Sequence, residues 1–165
     1  MNIKTYLKGI GQIMLQNSWL TGAFFLLGIF VNSWTMGIGA IVGVLAGTLS
    51  AVLFKYNKEE IQNGLYGFNG ALVGIALVFF FGFSITTLIL GVVFAILSTY
   101  IMHFMMSKRW KPYTFPFILA TWIAIILINK LSILDMVSHA GALAKLNIFS
   151  AITEGFGQVM FQGSI

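Results

Sequence analysis

Residues Gly9 to Ser18 read G-I-G-Q-I-M-L-Q-N-S, and Gly155 to Ser164, displaced by 146 positions, read G-F-G-Q-V-M-F-Q-G-S. Six of these ten positions are identical, and the pairs Ile10/Phe156, Ile13/Val159 and Leu15/Phe161 are apolar in both copies. Apolar composition supplies glycines and aliphatics to two unrelated segments, but it does not supply matching glutamines at 12 and 16 and again at 158 and 162. The chain therefore divides into a first repeat over 1–147 and the start of a second over 148–165, where Ile165 stands in the place of Trp19.

What separates the two copies decides how they relate. Of 165 residues, 59% are hydrophobic and 8% charged, too few polar groups to cover a water-facing surface, which excludes a soluble domain and a disordered chain. No Asp, Glu, Lys or Arg occurs in the 46 residues Gly9 to Phe54, the 47 residues Ile61 to Ser107 or the 18 residues Pro112 to Asn129. At roughly 20 residues per crossing, the first two runs hold two spans each and the third holds one. Breaks at Asn32 to Thr35 and Phe81 to Ser84 place the spans at Trp19 to Val31, Met36 to Phe54, Asn63 to Phe80, Ser84 to Met102 and Phe115 to Asn129. The polar residues Gln12, Gln16, Asn17 and Ser18 in the first apolar run argue against a cleavable signal peptide.

Five crossings put the two copies on opposite faces, the arrangement of an inverted-repeat transport protein. Lys4, Lys8, Lys55, Lys58, Lys108, Arg109 and Lys111 then share one face and only Lys130 and Lys145 the other, which sets the N-terminus in the cytoplasm. The net charge of +5 reflects scarce carboxylates and calls for no nucleic-acid partner.

Three segments carry polar groups into apolar text. Gly11 to Ser18 is too polar for lipid and too apolar for water; as a helix it sets Gln12 and Gln16 on one face with Leu15 beside them. It is either a half-helix dipping toward a polar cavity or an interfacial helix that caps the first span. In Gly64-Leu65-Tyr66-Gly67-Phe68-Asn69-Gly70-Ala71-Leu72-Val73-Gly74, the apolar text after Asn69 is too short to cross alone. Asn69 is then buried and needs partners, and Gly64, Gly67, Gly70 and Gly74 permit close backbone approach. Thr114-Phe115-Pro116-Phe117 opens the fifth span with proline just inside a helix start and Thr114 as its hydroxyl cap, near the cytoplasmic surface. Gly39, Gly43 and Gly47 form a small-residue packing stripe.

Little points to catalysis. Cysteine is absent, Glu59 and Glu60 share a loop with Lys55 and Lys58 and are expected to be solvated, and His103 and His139 fall on opposite faces. No metal site, cofactor or enzymatic activity is expected. With no ionisable group at mid-span, the permeant is expected to be neutral.

In order and spacing, G-Q-I-M-L-Q-N-S-W-L-T-G, G-L-Y-G-F-N-G-A-L-V-G, T-F-P-F-I-L-A-T-W and the G-x-G-Q restart resemble the urea transporter family along nearly the whole chain. The resemblance implies an all-α polytopic membrane protein of two inverted halves, each with five transmembrane helices and a re-entrant half-helix, enclosing one narrow pore per protomer of a homotrimer. This chain corresponds to the first half and the start of the second.

By motif, Gln12 corresponds to the glutamine at the pore mouth, Phe68 and Leu72 to the slot walls, and Thr114 to a mid-pore threonine, which requires residues 111–115 to dip inward. Leu15 replaces an aromatic and leaves the outer slot one aliphatic wall, whereas Phe161 supplies an aromatic and Gln158 pairs with Gln12. Asn69, Gly67, Gly70 and Pro116 are expected to be structural.

The implied activity is passive, channel-like passage of urea across the bacterial inner membrane. A flat solute with N–H donors and one carbonyl acceptor suits apolar walls edged with Gln, Thr and backbone oxygens. Two alternatives stand beside it: a split or truncated half that is inactive until a complementary half joins it, and a channel for another small neutral solute such as an amide or ammonia.

Overall fold

The computed structural model describes residues 2–137. Their regular structure is entirely helical: α1 (Ile3–Gln12), α2 (Trp19–Asn32), α3 (Trp34–Leu53), α4 (Lys58–Gln62), α5 (Gly67–Phe81), α6 (Ile85–Ser107) and α7 (Phe115–Lys130). Serines start three of the apolar helices by accepting an orphan N–H of the first turn. Ser18 accepts from Thr21 at 3.3 Å, Ser33 from Met36 at 3.4 Å and Ser84 from Thr87 at 3.0 Å. Ser33 is also the single residue between α2 and α3, extended at φ −154°, so the two helices form a tight hairpin. Gly82, at φ +73°, ends α5 where an L side chain would be strained.

α3 and α6 are long and apolar enough to cross a membrane, while α2, α5 and α7 are equally apolar but shorter. Phe24, Leu27, Ile89, Val93, Trp122 and Ile126 are exposed apolar side chains, as a lipid-facing surface requires.

The core is a glycine-mediated contact between α3 and α5, the most extensive helix pair in the described residues. The stripe Gly39, Gly43 and Gly47 meets α5 at Gly74, Gly70 and the Tyr66 carbonyl. A Cβ on Gly39 would lie 2.6 Å from the Gly74 oxygen, one on Gly47 2.7 Å from the Tyr66 oxygen, and one on Gly43 would collide with the Gly70 carbonyl. Backbones this close exchange dispersion contacts that lipid cannot match. Gly39 and Gly43 of one expected glycine series thus face Gly74 and Gly70 of the other, while Gly64 packs on α1 at Gly9.

α5 is buried along nearly its whole length. α3, α6, α7 and α1 surround it. Val73, Leu77 and Phe81 pack with Phe94 of α6 and with Ala120, Ala124 and Ile128 of α7.

Two expected elements differ. The third span was expected from Asn63, but residues 63–66 form a turn after α4, because Gly64 sits at φ +77° against the α1 backbone at Gly9. The amphipathic helix at the N-terminus is Ile3–Gln12, capped by Asn2, and it ends at the second residue of the Gly11 to Ser18 motif.

Candidate functional site

The site is built around Asn69, which is fully buried in the first turn of α5. Its Nδ2 donates to the Tyr113 carbonyl at 3.2 Å and lies 3.6 Å from the Met102 sulfur, and its Oδ1 accepts the Phe117 N–H at 3.1 Å. Phe117 is the third residue of α7, where a backbone N–H has no partner within the helix. Asn69 therefore caps α7 from a neighbouring helix.

This corrects the role expected of Thr114 as a cap. It occupies the N-cap position, but its side chain makes no capping bond. Pro116, buried in the first turn, has no N–H to satisfy.

Asn69 is level with Met102, and α6 continues five residues past Met102 to Ser107, about 7.5 Å at 1.5 Å per residue. Asn69 thus brings Tyr113 and Phe117 beside Met102, and Thr114 between them is half-buried.

Beside this bridge lies a cavity of about 370 Å³ lined by Gln12, Leu15, Phe68, Met102, Trp110 and Tyr113 among others. Gln12 Nε2 donates to the Asn63 carbonyl at 2.9 Å, and Asn17 Nδ2 donates to Asn63 Oδ1 at 3.0 Å, which ties the end of α1 to the turn before α5. Its own N–H so engaged, Gln12 has its carboxamide oxygen to offer as an acceptor. Leu15 at φ +55° and Tyr113 at φ +45° both line the cavity in the left-handed region, which costs an L residue roughly 1 kcal/mol or more.

The structure gathers some of the expected residues and separates others. Gln12, Leu15 and Phe68 share the cavity; Leu72 lies beneath it, buried with Ala51, Ile61, Tyr66 and Met102, and Thr114 adjoins it through Tyr113. Gln16 does not share a helical face with Gln12, because α1 ends at Gln12 and Gln16 is exposed in the turn beyond. Leu15 lines the same cavity as Trp110 and Lys111. Gly67 and Gly70 sit at close backbone approaches: a Cβ on Gly67 would lie 2.6 Å from the Thr48 hydroxyl, and one on Gly70 would collide with Gly43. Gln158, Phe161 and His139 lie outside the described residues.

Sequence reasoning missed Tyr113 and Met102, whose side chains carry no pattern signal of their own. It also misjudged Glu60, which is half-buried and accepts the Tyr66 hydroxyl at 2.5 Å. His103 Nδ1 lies 3.2 Å from that hydroxyl, and its ring stacks on Tyr56 at 3.6 Å. Burial pushes the Tyr56 phenol above the usual tyrosine range, with Tyr100 adding to the shift. Among the described residues no group of three or more His, Cys, Asp or Glu could hold a metal ion.

Comparison with known proteins points the same way. The sequence profile described as "Urea transporter" matches residues 3–165. "Urea transporter 1" of Rattus norvegicus is 34% identical over 138 residues, covering 78% of this chain and 35% of that protein. "Urea transporter 1" of Ovis aries is 33% identical over 69 residues, covering 42% of this chain and 18% of that protein. The chain spans well under half the length of these relatives.

Proposed function

The chain belongs to the urea transporter family, and from that we propose that it forms one wall of a passive, channel-like path for urea across a membrane. The observation that carries the reading is the Asn69 bridge, which fixes residues 113–117 beside the cavity that holds Gln12 and Phe68. Gln12 Oε1, the Thr114 hydroxyl and backbone carbonyls would accept the solute's N–H groups, while Phe68 and Leu72 provide the flat apolar side. Such a path replaces the solute's water without offering charge. It serves transport and no enzymatic reaction.

In this reading α2, α3, α5, α6 and α7 are the five crossings and α1 is the re-entrant element. The seven lysines and arginines on one face set the N-terminus in the cytoplasm, and the membrane is the bacterial inner membrane. The second repeat brings Gln158 and Phe161 to the other end of the path. The whole assembles as a homotrimer with one path per protomer.

A second reading has its own observation. Leu15 is 68% exposed and Tyr113 57% exposed although both line the cavity, so the path is open on one side. A complementary half closes it, and this half alone does not conduct. Stopped-flow light scattering on proteoliposomes tests both readings, with this chain alone and with a co-expressed second half, using urea, acetamide and ammonia. Urea flux above that of empty liposomes is expected once the path is closed. Flux of acetamide or ammonia without urea would reassign the solute, and flux of none in either preparation would overturn the proposal.

A further inference from the structure

Away from the path, a cleft of about 280 Å³ at the start of α1 is lined by Asn2, Lys4, Thr5, Lys8 and Gln62. Lys4 and Lys8, one helical turn apart, lie on the same side of α1. Every polar side chain in the lining can donate a hydrogen bond, and none is a carboxylate. Asn2 Oδ1 already accepts the Lys4 N–H at 3.2 Å, which leaves the Asn2 Nδ2 donor to the cleft. Glu59 and Glu60, on the helix that supplies Gln62, are absent from the lining, and Glu60 is engaged by Tyr66.

Two cations and two carboxamide donors around one concavity match an anion with several acceptor oxygens. The surroundings choose which anion. The Lys4 ammonium lies 5.2 Å from the centre of the Trp19 ring, and Trp19, at the start of the apolar helix α2, is 38% exposed. Tryptophan in that position marks the level where headgroups meet acyl chains. Ile3 and Leu20, next to Lys4 and Trp19 in sequence, are 71% and 51% exposed. A free anion in water has no use for exposed apolar side chains nearby, whereas a lipid has chains to lay on them.

We infer that this cleft holds the phosphate of an anionic phospholipid headgroup, with Lys4 and Lys8 as its charge partners and Asn2 and Gln62 as further donors. The inference does not depend on which solute crosses, and its test does not read flux. Thermal unfolding of the detergent-solubilised full chain is followed while phosphatidylglycerol, phosphatidylcholine or inorganic phosphate is titrated in. Phosphatidylglycerol is expected to stabilise the protein at concentrations where the other two do not. The K4Q/K8Q double variant should weaken the apparent affinity about tenfold or more, from the contribution of each basic residue near a charged membrane surface. K4R/K8R should retain it, since guanidinium binds phosphate at least as well.

The control K55Q/K108Q removes the same charge from the same face outside the cleft and should retain the affinity too. Three results would overturn the assignment: unchanged affinity in K4Q/K8Q, an equal loss in K55Q/K108Q or K4R/K8R, or inorganic phosphate as effective as the lipid.

Discussion

The Asn69 side-chain oxygen accepts the Phe117 backbone N–H at 3.1 Å while its nitrogen donates to the Tyr113 carbonyl at 3.2 Å, so one carboxamide on α5 fixes both the start of α7 and the stretch of chain that leads into it. An amide in this position satisfies two backbone groups outside the regular helix ladder. That side chain also holds Tyr113, which lines the cavity beside it.

Replacing Asn69 by Leu keeps the γ-branched shape, adds some volume and removes both bonds. Two part-buried hydrogen bonds are then lost, at about 0.5–1.5 kcal/mol each. Thermal unfolding in detergent should show a clear loss of stability, and cysteine accessibility at an introduced Tyr113→Cys should change. A stable N69L protein with unaltered accessibility would show that α7 is held by other contacts.

The glycines of α3 separate from those the packing does not need. Gly43→Ala sets a methyl against the Gly70 carbonyl and forces α3 and α5 apart, at a cost of roughly 1–3 kcal/mol. Gly28 of α2 has nothing within 4 Å of the point where a methyl would stand, so Gly28→Ala should be neutral or stabilise by up to about 1 kcal/mol through helix propensity. Unfolding midpoints of the two variants, measured side by side, check the contrast; equal effects would contradict it.

Tyr66 links Glu60 and His103 through its hydroxyl. Tyr66→Phe should cost about 1.5–3 kcal/mol, the range for a hydrogen bond to a charged group. Tyr66→Phe in a His103→Ala background should cost less than in the wild type, because the two substitutions share a partner. A double-mutant cycle on thermal unfolding measures the coupling, and strict additivity would show that the three side chains do not act together.

Much of this arrangement was legible in the sequence. Charge-free runs and serine or glycine breaks located the apolar helices to within a few residues, since burying a charge in lipid costs too much to tolerate by accident. Asn69 was legible for the same reason: a lone amide in apolar text must find partners. Which partners it finds was not, because Tyr113 and Phe117 contribute backbone atoms, and backbone atoms leave no trace in residue identity. The end of α1 at Gln12 was equally hidden, since Gln12, Leu15 and Gln16 have helical spacing and only the bonds from Gln12 and Asn17 to Asn63 reveal the turn. Thr114 looked like an ordinary cap at the membrane surface. Its hydroxyl is released from that task because Asn69 performs it.

The proposed path uses the Thr114 hydroxyl as an acceptor for the passing solute. The most direct test is stopped-flow urea flux in proteoliposomes containing Thr114→Val, which keeps the side-chain shape and removes the hydroxyl, in a preparation whose wild-type counterpart conducts urea. The expected result is flux reduced severalfold, about the effect of losing one hydrogen bond of roughly 1 kcal/mol, with unfolding midpoint and oligomeric state unchanged. Wild-type flux in Thr114→Val would contradict it.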